Sequence, residues 1–174
     1  MDLSYGQAYE DFRRQTREFI ETHKRLAPRG WNADRAAIQS WQKLLIDHGY
    51  VARAIPKEYG GFGAEPDVLE SRIIAEEFAR AQVSPGLGGQ GIEYLVPAML
   101  ELASEEQKRQ YIPPTLRGDI IWCEGYSEPN AGSDLASLTT SAVLDGEHWV
   151  VNGQKIWTST AESADWMFCL VRSL

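Results

Sequence analysis

Apolar side chains in the first two-thirds of the chain recur every three or four positions, the spacing that places them on one face of a helix. Each run of this kind is bounded by polar or glycine-containing segments, as expected for amphipathic helices of a globular protein. The four stripes lie at residues 8–20, 37–45, 69–81 and 92–102. The pattern therefore predicts that the first two-thirds of the chain is helical.

Residues that favour helix ends mark where these helices begin and stop. Asp34 is expected to cap the second helix and Asp67 the third. Ser104 and Gln107 have the spacing of a capping box and predict a fifth, short helix. We expect this helix to end before Pro113-Pro114, because proline lacks the backbone N–H that a helix interior needs.

A change of period at Gly118 separates the helical region from a series of short, β-prone runs. Asp145-Gly146 is typical of a hairpin turn, and Asn152-Gly153 predicts a second turn of the same kind. The runs lie at residues 120–123, 138–144, 148–151, 154–159 and 166–171. We predict an α+β fold: an N-terminal all-α helical domain over residues 1–118, then an incomplete antiparallel β domain, a β-meander, over residues 119–174.

The run Gly86-Leu87-Gly88-Gly89-Gln90-Gly91 matches the dinucleotide-binding pattern G-x-G-x-x-G. That pattern binds a pyrophosphate only where a strand enters the glycine loop and a helix leaves it. Here a predicted helix enters the loop, and the pattern around it predicts no βαβ unit. We therefore interpret the run as a loop between helices.

Charge and composition exclude several classes of function. The 174 residues carry a net charge of −8 without a basic stripe, which argues against nucleic-acid binding. The three histidines lack metal-ligand spacing, so no metal site is predicted. Cys123 and Cys169 are far apart and are expected to be free, buried thiols in a reducing compartment. Without a secretory signal or an apolar run of about 20 residues, we expect a cytoplasmic protein with no membrane span.

Candidate chemistry is concentrated in the turn-like run Tyr126-Ser127-Glu128-Pro129-Asn130-Ala131-Gly132-Ser133-Asp134. Its glycine permits a tight or left-handed turn, and free backbone amides between Ser127 and Ser133 are expected to form a nest for phosphate or carbonyl oxygens. A second segment, Trp157-Thr158-Ser159, offers an indole and two hydroxyls to a planar heteroaromatic cofactor if the strands are adjacent. From residue types alone, ordinary turn and core residues are an equal alternative.

Several ordered motifs resemble the acyl-CoA dehydrogenase family. The run 126–134 is close to the family pattern S/T-E-P-x-A-G-S-D, and residues 152–159 are close to N-G-x-K-x-W/Y-I/T-S/T. Residues 56–61 and 105–113 are also similar to family segments. The resemblance covers nearly the whole chain, from near Tyr9 to Ser173. Several motifs at matched spacing are more specific than any single pattern.

The resemblance implies a cofactor, a reaction and partners. Family members bind FAD between a middle β domain and a C-terminal four-helix domain. They remove an α-proton and a β-hydride from acyl-CoA thioesters, and electron-transfer flavoprotein is the expected electron acceptor. Hydrogen bonds to the thioester carbonyl stabilise the developing enolate.

The resemblance also implies roles for individual residues. Ser127 is expected to hydrogen-bond the isoalloxazine ring, Trp157 to stack near it, and Ser159 to lie close to its hydride-accepting nitrogen. Ser133 is the expected substrate contact. Asn130 stands where many members have glycine, but asparagine tolerates turn conformations. The cofactor-binding residues implied in this way are Tyr126, Ser127, Gly132, Ser133, Trp157, Thr158 and Ser159.

No catalytic residue is assigned. The family's catalytic base is a carboxylate of the C-terminal domain, which no part of this sequence resembles, and Glu124 and Glu128 are interpreted as structural. We expect the chain alone to be inactive. It is then a fragment, a subunit completed by a partner in a homo- or hetero-oligomer, or a non-catalytic interaction module. Acyl-CoA oxidase and flavin monooxygenase, which share the fold, are alternative functions.

Overall fold

The computed structural model describes residues 6–30 and 33–173. In these ranges a series of helices is followed by a series of short strands, which confirms the α+β fold class. The helices are α1 (Gln7–His23), α2 (Arg35–Asp47), α3 (Val68–Ala81), α4 (Val96–Leu102) and α5 (Glu105–Arg117). The strands are β1 (Trp122–Gly125), β2 (Ser141–Asp145), β3 (His148–Asn152), β4 (Trp166–Cys169) and β5 (Arg172–Ser173).

The chain forms two compact units. The first consists of the described residues up to Leu87 together with Leu102–Asp119. The second consists of Gly88–Glu101 and the described residues from Ile120 onward. A π-helical turn, Gly91–Leu95, begins at the last glycine of the glycine-rich run and leads directly into α4. Since α3 precedes that run, its interpretation as a loop between helices is confirmed.

The core of the first unit is an apolar cluster supplied by α1, α2, α3 and the loop after α1. Its buried members are Phe19, Ile20, Ala27, Trp41, Leu45, Ile74 and Phe78. The indole N–H of Trp41 donates to the carbonyl oxygen of Ser84 at 2.9 Å, so this large buried ring has a partner for its donor. Six of these seven residues belong to the first three predicted helical stripes, whereas the stripe at residues 92–102 supplies none of the described members of this cluster.

A buried carboxylate joins α1 to α3 in the same unit. Glu77 is 1% exposed. It accepts hydrogen bonds from Arg13 at 2.8 Å, from Arg17 at 2.8 and 2.9 Å, and from Arg80 at 2.8 Å. Burial alone would raise the pKa of Glu77, but the bonds from Arg17, Arg13 and Arg80 outweigh it and lower the pKa to about 2. Glu77 is therefore held ionised inside the unit.

The caps predicted from the sequence are present. Asp34 and Asp67 accept backbone N–H bonds at the starts of α2 and α3. Ser104 and Gln107 exchange side chain-to-backbone bonds at the start of α5, which completes the capping box. These bonds satisfy donors that the first turn of a helix leaves without a partner.

Replacing Ser104 with alanine is expected to lower the free energy of unfolding by about 1 kcal/mol, because the cap of α5 is lost. Urea denaturation of the variant and the parent chain measures the difference. Ser71→Ala is a matched control, since the Ser71 hydroxyl bonds the carbonyl oxygen of Asp67, one turn earlier, and caps no helix. If the loss at Ser104 is no larger than the loss at Ser71, the hydroxyl does not act as a cap.

The predicted end of α5 is wrong. The helix continues through Pro113 and Pro114 to Arg117. The two prolines remove helical hydrogen bonds. However, Ile112 and Leu116, on either side of them, are 0% and 1% exposed. Tertiary burial therefore overrides the local signal, and the helix ends instead at the left-handed Gly118.

The strands pair in two small sheets within the second unit. β2 and β3 form the predicted antiparallel hairpin around Asp145-Gly146. However, β1 pairs with β4 and β2 pairs with β5 in the parallel sense. The predicted meander is therefore wrong beyond the hairpin. After β3 the chain makes a long loop before it returns beside β1 and β2. Residues 154–159 form no strand, since Trp157 has φ 57°, a left-handed angle outside the strand region.

Candidate functional site

The turn within residues 126–134 is closed by its own backbone. Glu128 donates its N–H to the carbonyl oxygen of Ala131 at 2.8 Å, and Ala131 returns a bond of 3.1 Å. The prediction of free amides throughout the turn is therefore wrong at these two positions, because the turn itself uses them. Any anion-binding nest must use other amides of the run.

Gly132 lies just beyond this turn and is exposed. Its φ is not left-handed, so the expected special turn conformation is absent there. Apart from its two chain neighbours, no residue that the structure describes would lie within 4 Å of a Cβ built on Gly132. Neither backbone geometry nor crowding within the chain thus requires glycine at this position, which is open to approach from outside.

The segment that carries Trp157 lies beside the turn. The backbone N–H of Ile156 donates to the carbonyl oxygen of Ser127 at 2.9 Å. The ammonium group of Lys155 donates to the carbonyl oxygen of Tyr126 at 2.9 Å. The structure therefore brings the two predicted segments together, although through these bonds and not through a strand ladder.

Trp157 combines two unusual properties. The residue is 86% exposed although tryptophan is the largest apolar type. Its φ of 57° is a conformation that non-glycine residues adopt at an energetic cost. Thr160, three positions on, is also left-handed and donates its hydroxyl to Gln90 at 3.1 Å. Backbone outliers of this kind are concentrated at ligand sites and switch regions.

The strand pair β1–β4 supports Tyr126. The ring of Tyr126 meets the ring of Phe168 edge-on, with 5.7 Å between the centroids. Burial, and then the charge of Glu124, raise the pKa of the Tyr126 phenol. The phenol therefore stays protonated at neutral pH and can donate a hydrogen bond.

The remaining site residues are less constrained. Ser127 and Thr158 are half-buried, whereas Ser133 and Ser159 are exposed. Among the hydrogen bonds of the described residues, none joins Ser133 to the segment 157–159. The structure thus places Ser127 next to the Trp157 segment, but it does not link Ser133 to that segment.

Glu128 is the most heavily bonded carboxylate in this region. It accepts hydrogen bonds from the Lys155 ammonium at 2.8 Å, from the N–H and hydroxyl of Thr139 at 2.7 and 2.8 Å, and from the N–H of Thr140 at 2.9 Å. The bond from Lys155 is the largest influence holding the pKa of Glu128 well below its usual range. These contacts agree with the structural interpretation of Glu128.

Sequence reasoning missed the pairing of Glu128 with Lys155. The two residues are 27 positions apart, and periodicity carries no information over such a distance. The motif containing Lys155 marked the region as important, but nothing in it identified the partner of the lysine.

Both cysteines are free, with Cys123 buried and Cys169 exposed. The prediction that both are buried is wrong for Cys169, since most side chains of β4 are exposed. In residues 6–30 and 33–173, no three His, Cys, Asp or Glu side chains are grouped so that they could hold a metal ion. The helices in these ranges are all too short or too polar to cross a bilayer.

Comparison with known proteins gives matches along almost the whole chain. Residues 7–119 match the family model described as "Acyl-CoA dehydrogenase, N-terminal domain". Residues 123–174 match the family model described as "Acyl-CoA dehydrogenase, middle domain". The acyl-CoA dehydrogenase IpdE1 of Mycobacterium tuberculosis is 39% identical over 135 residues, which make up 78% of this chain and 34% of that protein.

Solved structures give the same result. A chain of the ChsE4-ChsE5 complex from Mycobacterium tuberculosis is 35% identical, with a TM-score of 0.73 over 99% of this chain and 44% of its own length. A chain of the Tcur3481-Tcur3483 steroid ACAD is 34% identical, with a TM-score of 0.71 over 100% of this chain and 45% of its own. The chain thus spans less than half of the length of these relatives.

Proposed function

Because the chain belongs to the acyl-CoA dehydrogenase family, we propose that it is the N-terminal and middle-domain part of an FAD-dependent enzyme that introduces an α,β double bond into acyl-CoA thioesters. The observation that carries this proposal is the 2.9 Å bond from Ile156 to Ser127. Within one or two residues of that bond stand an indole, a phenol and short hydroxyl groups. Such a set can stack on a flat ring and orient it by hydrogen bonds.

The residues present suit a flavin. Trp157 is 86% exposed, and Gly132 borders open space. Contact with a ligand would explain why a tryptophan is exposed here and why a glycine stands beside open space, whereas packing within the chain explains neither. In the proposed site FAD is held by Tyr126, Ser127, Gly132, Ser133, Trp157, Thr158 and Ser159, and Ser133 contacts the acyl-CoA.

Bound FAD would supply the acceptor for the hydride that leaves the β-carbon of the thioester. The chain's own contribution is to bind the ring and to orient it through hydroxyl and amide donors. Glu128 does not suit the role of the base that removes the α-proton, because four hydrogen bonds already hold its ionised carboxylate. We propose that the base lies in a polypeptide segment corresponding to the part of the relatives that this chain does not span. We also propose that electron-transfer flavoprotein accepts the electrons.

Trp157→Ala is expected to weaken FAD binding at least about tenfold, since stacking on the indole is lost. Titration of FAD with the chain, followed by quenching of flavin fluorescence, measures the affinity. Trp149→Ala is a matched control, because Trp149 is also a largely exposed indole but lies in β3. Ser127→Ala tests the hydroxyl in the same assay. If neither Trp157→Ala nor Ser127→Ala weakens binding, the assigned residue roles are wrong.

A second candidate function is a subunit of a flavoprotein built from two different chains. It is favoured because the two solved structures described above are both named for a pair of chains. The visible absorption of FAD in the purified protein, with and without a candidate partner chain, tests it. If this chain alone oxidised an acyl-CoA, the proposal that a second polypeptide is required would be disproved. Since one relative is named as a steroid ACAD, CoA thioesters of steroids are the first substrates to assay.

A further inference from the structure

Three hydrogen bonds join the two segments of the proposed flavin site. The Lys155 ammonium donates to the carbonyl oxygen of Tyr126 at 2.9 Å and to the carboxylate of Glu128 at 2.8 Å. Between these two bonds, the N–H of Ile156 donates to the carbonyl oxygen of Ser127 at 2.9 Å. Three consecutive residues of the turn are thus bonded to two consecutive residues of the other segment.

This junction is shielded from water. The side chains of Glu128 and Lys155 are 5% and 8% exposed. Each charge is therefore partly desolvated and depends on the other for compensation. One oxygen of Glu128 also accepts from the N–H of Thr140, while the second accepts from the N–H and hydroxyl of Thr139. The carboxylate is fixed from both sides, so it offers Lys155 a rigid partner.

Within the described residues, no β-sheet pairing joins the Trp157 segment to the turn. Residues 153–158 belong to no strand. Among the described backbone bonds, Ile156 to Ser127 is the one that ties this segment to the turn. Glu128 is the neighbour of Ser127 in the sequence, and Lys155 is the neighbour of Ile156, so the ion pair lies directly beside that bond. A change in the pair would therefore alter the placement of Trp157, two positions from Lys155.

We propose that Glu128 and Lys155 form a positioning pair for the flavin site: they hold the Trp157 segment in register against the Tyr126–Glu128 turn without touching the cofactor. That the ligand of this site is a flavin rests on the proposed function. The positioning itself concerns only contacts within this chain, and it can be tested without any ligand.

Lys155→Met removes the charge and keeps most of the length of the side chain. Hydrogen exchange of the Ile156 amide, followed by NMR, is expected to become at least about tenfold faster, because the neighbouring bonds that hold the segment are lost. The amides of the β2–β3 hairpin should keep their protection, which distinguishes a local opening from global unfolding. Lys108→Met is the matched control, since Lys108 is also largely buried and pairs with Glu105 at 3.0 Å in α5.

FAD affinity, measured by the same fluorescence titration, provides the second readout. Lys155→Met should lower it at least about tenfold, Lys155→Arg should restore part of it by keeping the charge, and Lys108→Met should leave it unchanged. If Lys155→Met does not fold, Glu128→Gln, which keeps the shape of the carboxylate, is used in both assays.

The outcomes separate the two proposals. An Ile156 amide that stays protected in the Lys155→Met variant would overturn the positioning role. Faster exchange with unchanged FAD affinity would overturn the link between the pair and the ligand site. If the parent chain does not bind FAD while the Ile156 amide responds as expected, the proposed cofactor fails and the positioning contact within the chain is upheld.

Discussion

Glu77→Gln is expected to lower the free energy of unfolding at neutral pH by about 3 kcal/mol, judged from the displacement of the Glu77 pKa from its ordinary value of 4.5 to about 2. The glutamine keeps the size of the side chain but removes the charge that three arginines of α1 and α3 share. Arg13, Arg17 and Arg80 then face a neutral group and repel one another. Urea denaturation at pH 7 measures the loss.

The effect depends on pH in a defined direction. The pKa of Glu77 is lower in the folded chain than in the unfolded chain, so its contribution to stability is complete above about pH 4.5 and declines as the pH falls toward about 2. The glutamine variant lacks this contribution at every pH. The difference between the two proteins should therefore shrink on acidification through that window.

Glu76→Gln is the control for this prediction. Glu76 is the neighbouring residue and also pairs with Arg13, but its side chain is 37% exposed. Solvent screens its interactions, so a much smaller loss is expected. Equal losses at the two positions would show that burial of Glu77 does not set the strength of the network. A pH-independent loss at Glu77 would show that the loss does not come from its ionised carboxylate.

Gly61→Ala is expected to lower the free energy of unfolding by about 3 kcal/mol or more, because it forces overlap with backbone and not with a movable side-chain tip. A Cβ on Gly61 would overlap the carbonyl oxygen and the Cβ of Ile55 and lie 2.6 Å from its carbonyl carbon. The same loop is closed by the bond from the Gly63 N–H to Ile55, at 2.9 Å, so the backbone cannot move aside freely. Thermal and urea denaturation both report the effect.

Gly132→Ala is the matched control for Gly61. Gly132 is not left-handed, and a Cβ there meets none of the described residues within 4 Å beyond its two chain neighbours. The substitution should change stability by less than about 0.5 kcal/mol. In the proposed site the same variant should bind FAD less tightly, so the affinity for FAD falls while the free energy of unfolding stays nearly unchanged. Equal destabilisation at Gly61 and Gly132 would contradict the crowding seen around Gly61.

Local signals predicted the features that depend on local physics. The apolar stripes gave the helices because a 3.6-residue period shows on which face burial occurs. The caps at Asp34, Asp67 and Ser104, and the turn at Asp145-Gly146, were predicted because each involves residues only a few positions apart.

The failures have a common cause in tertiary structure. Pro113 and Pro114 remain in a helix because the residues around them are buried, and no local rule includes that burial. The meander was predicted from sequential runs, but β4 and β5 pair in parallel with strands more than 20 positions earlier. Strand order depends on such long-range pairing, which period-two patterns do not encode.

For the candidate site, the family motifs identified the two segments, and the structure brings Ser127 and Ile156 together. What those motifs did not provide is the network that holds the segments. Glu128 was interpreted as structural without a partner, and Lys155 was not assigned a role. A buried ion pair between distant positions becomes visible only when the chain is folded.

The left-handed backbone of Trp157 also affects the entropy of binding. The N–H of Ser159 bonds to the carbonyl oxygen of Trp157 at 3.0 Å, so a local turn restrains the main chain around the indole. An aromatic side chain has only two rotatable bonds left to order when a flat molecule stacks on it. A rigid corner that presents such a ring is preorganised, and a ligand would lose little affinity to the immobilisation of this residue.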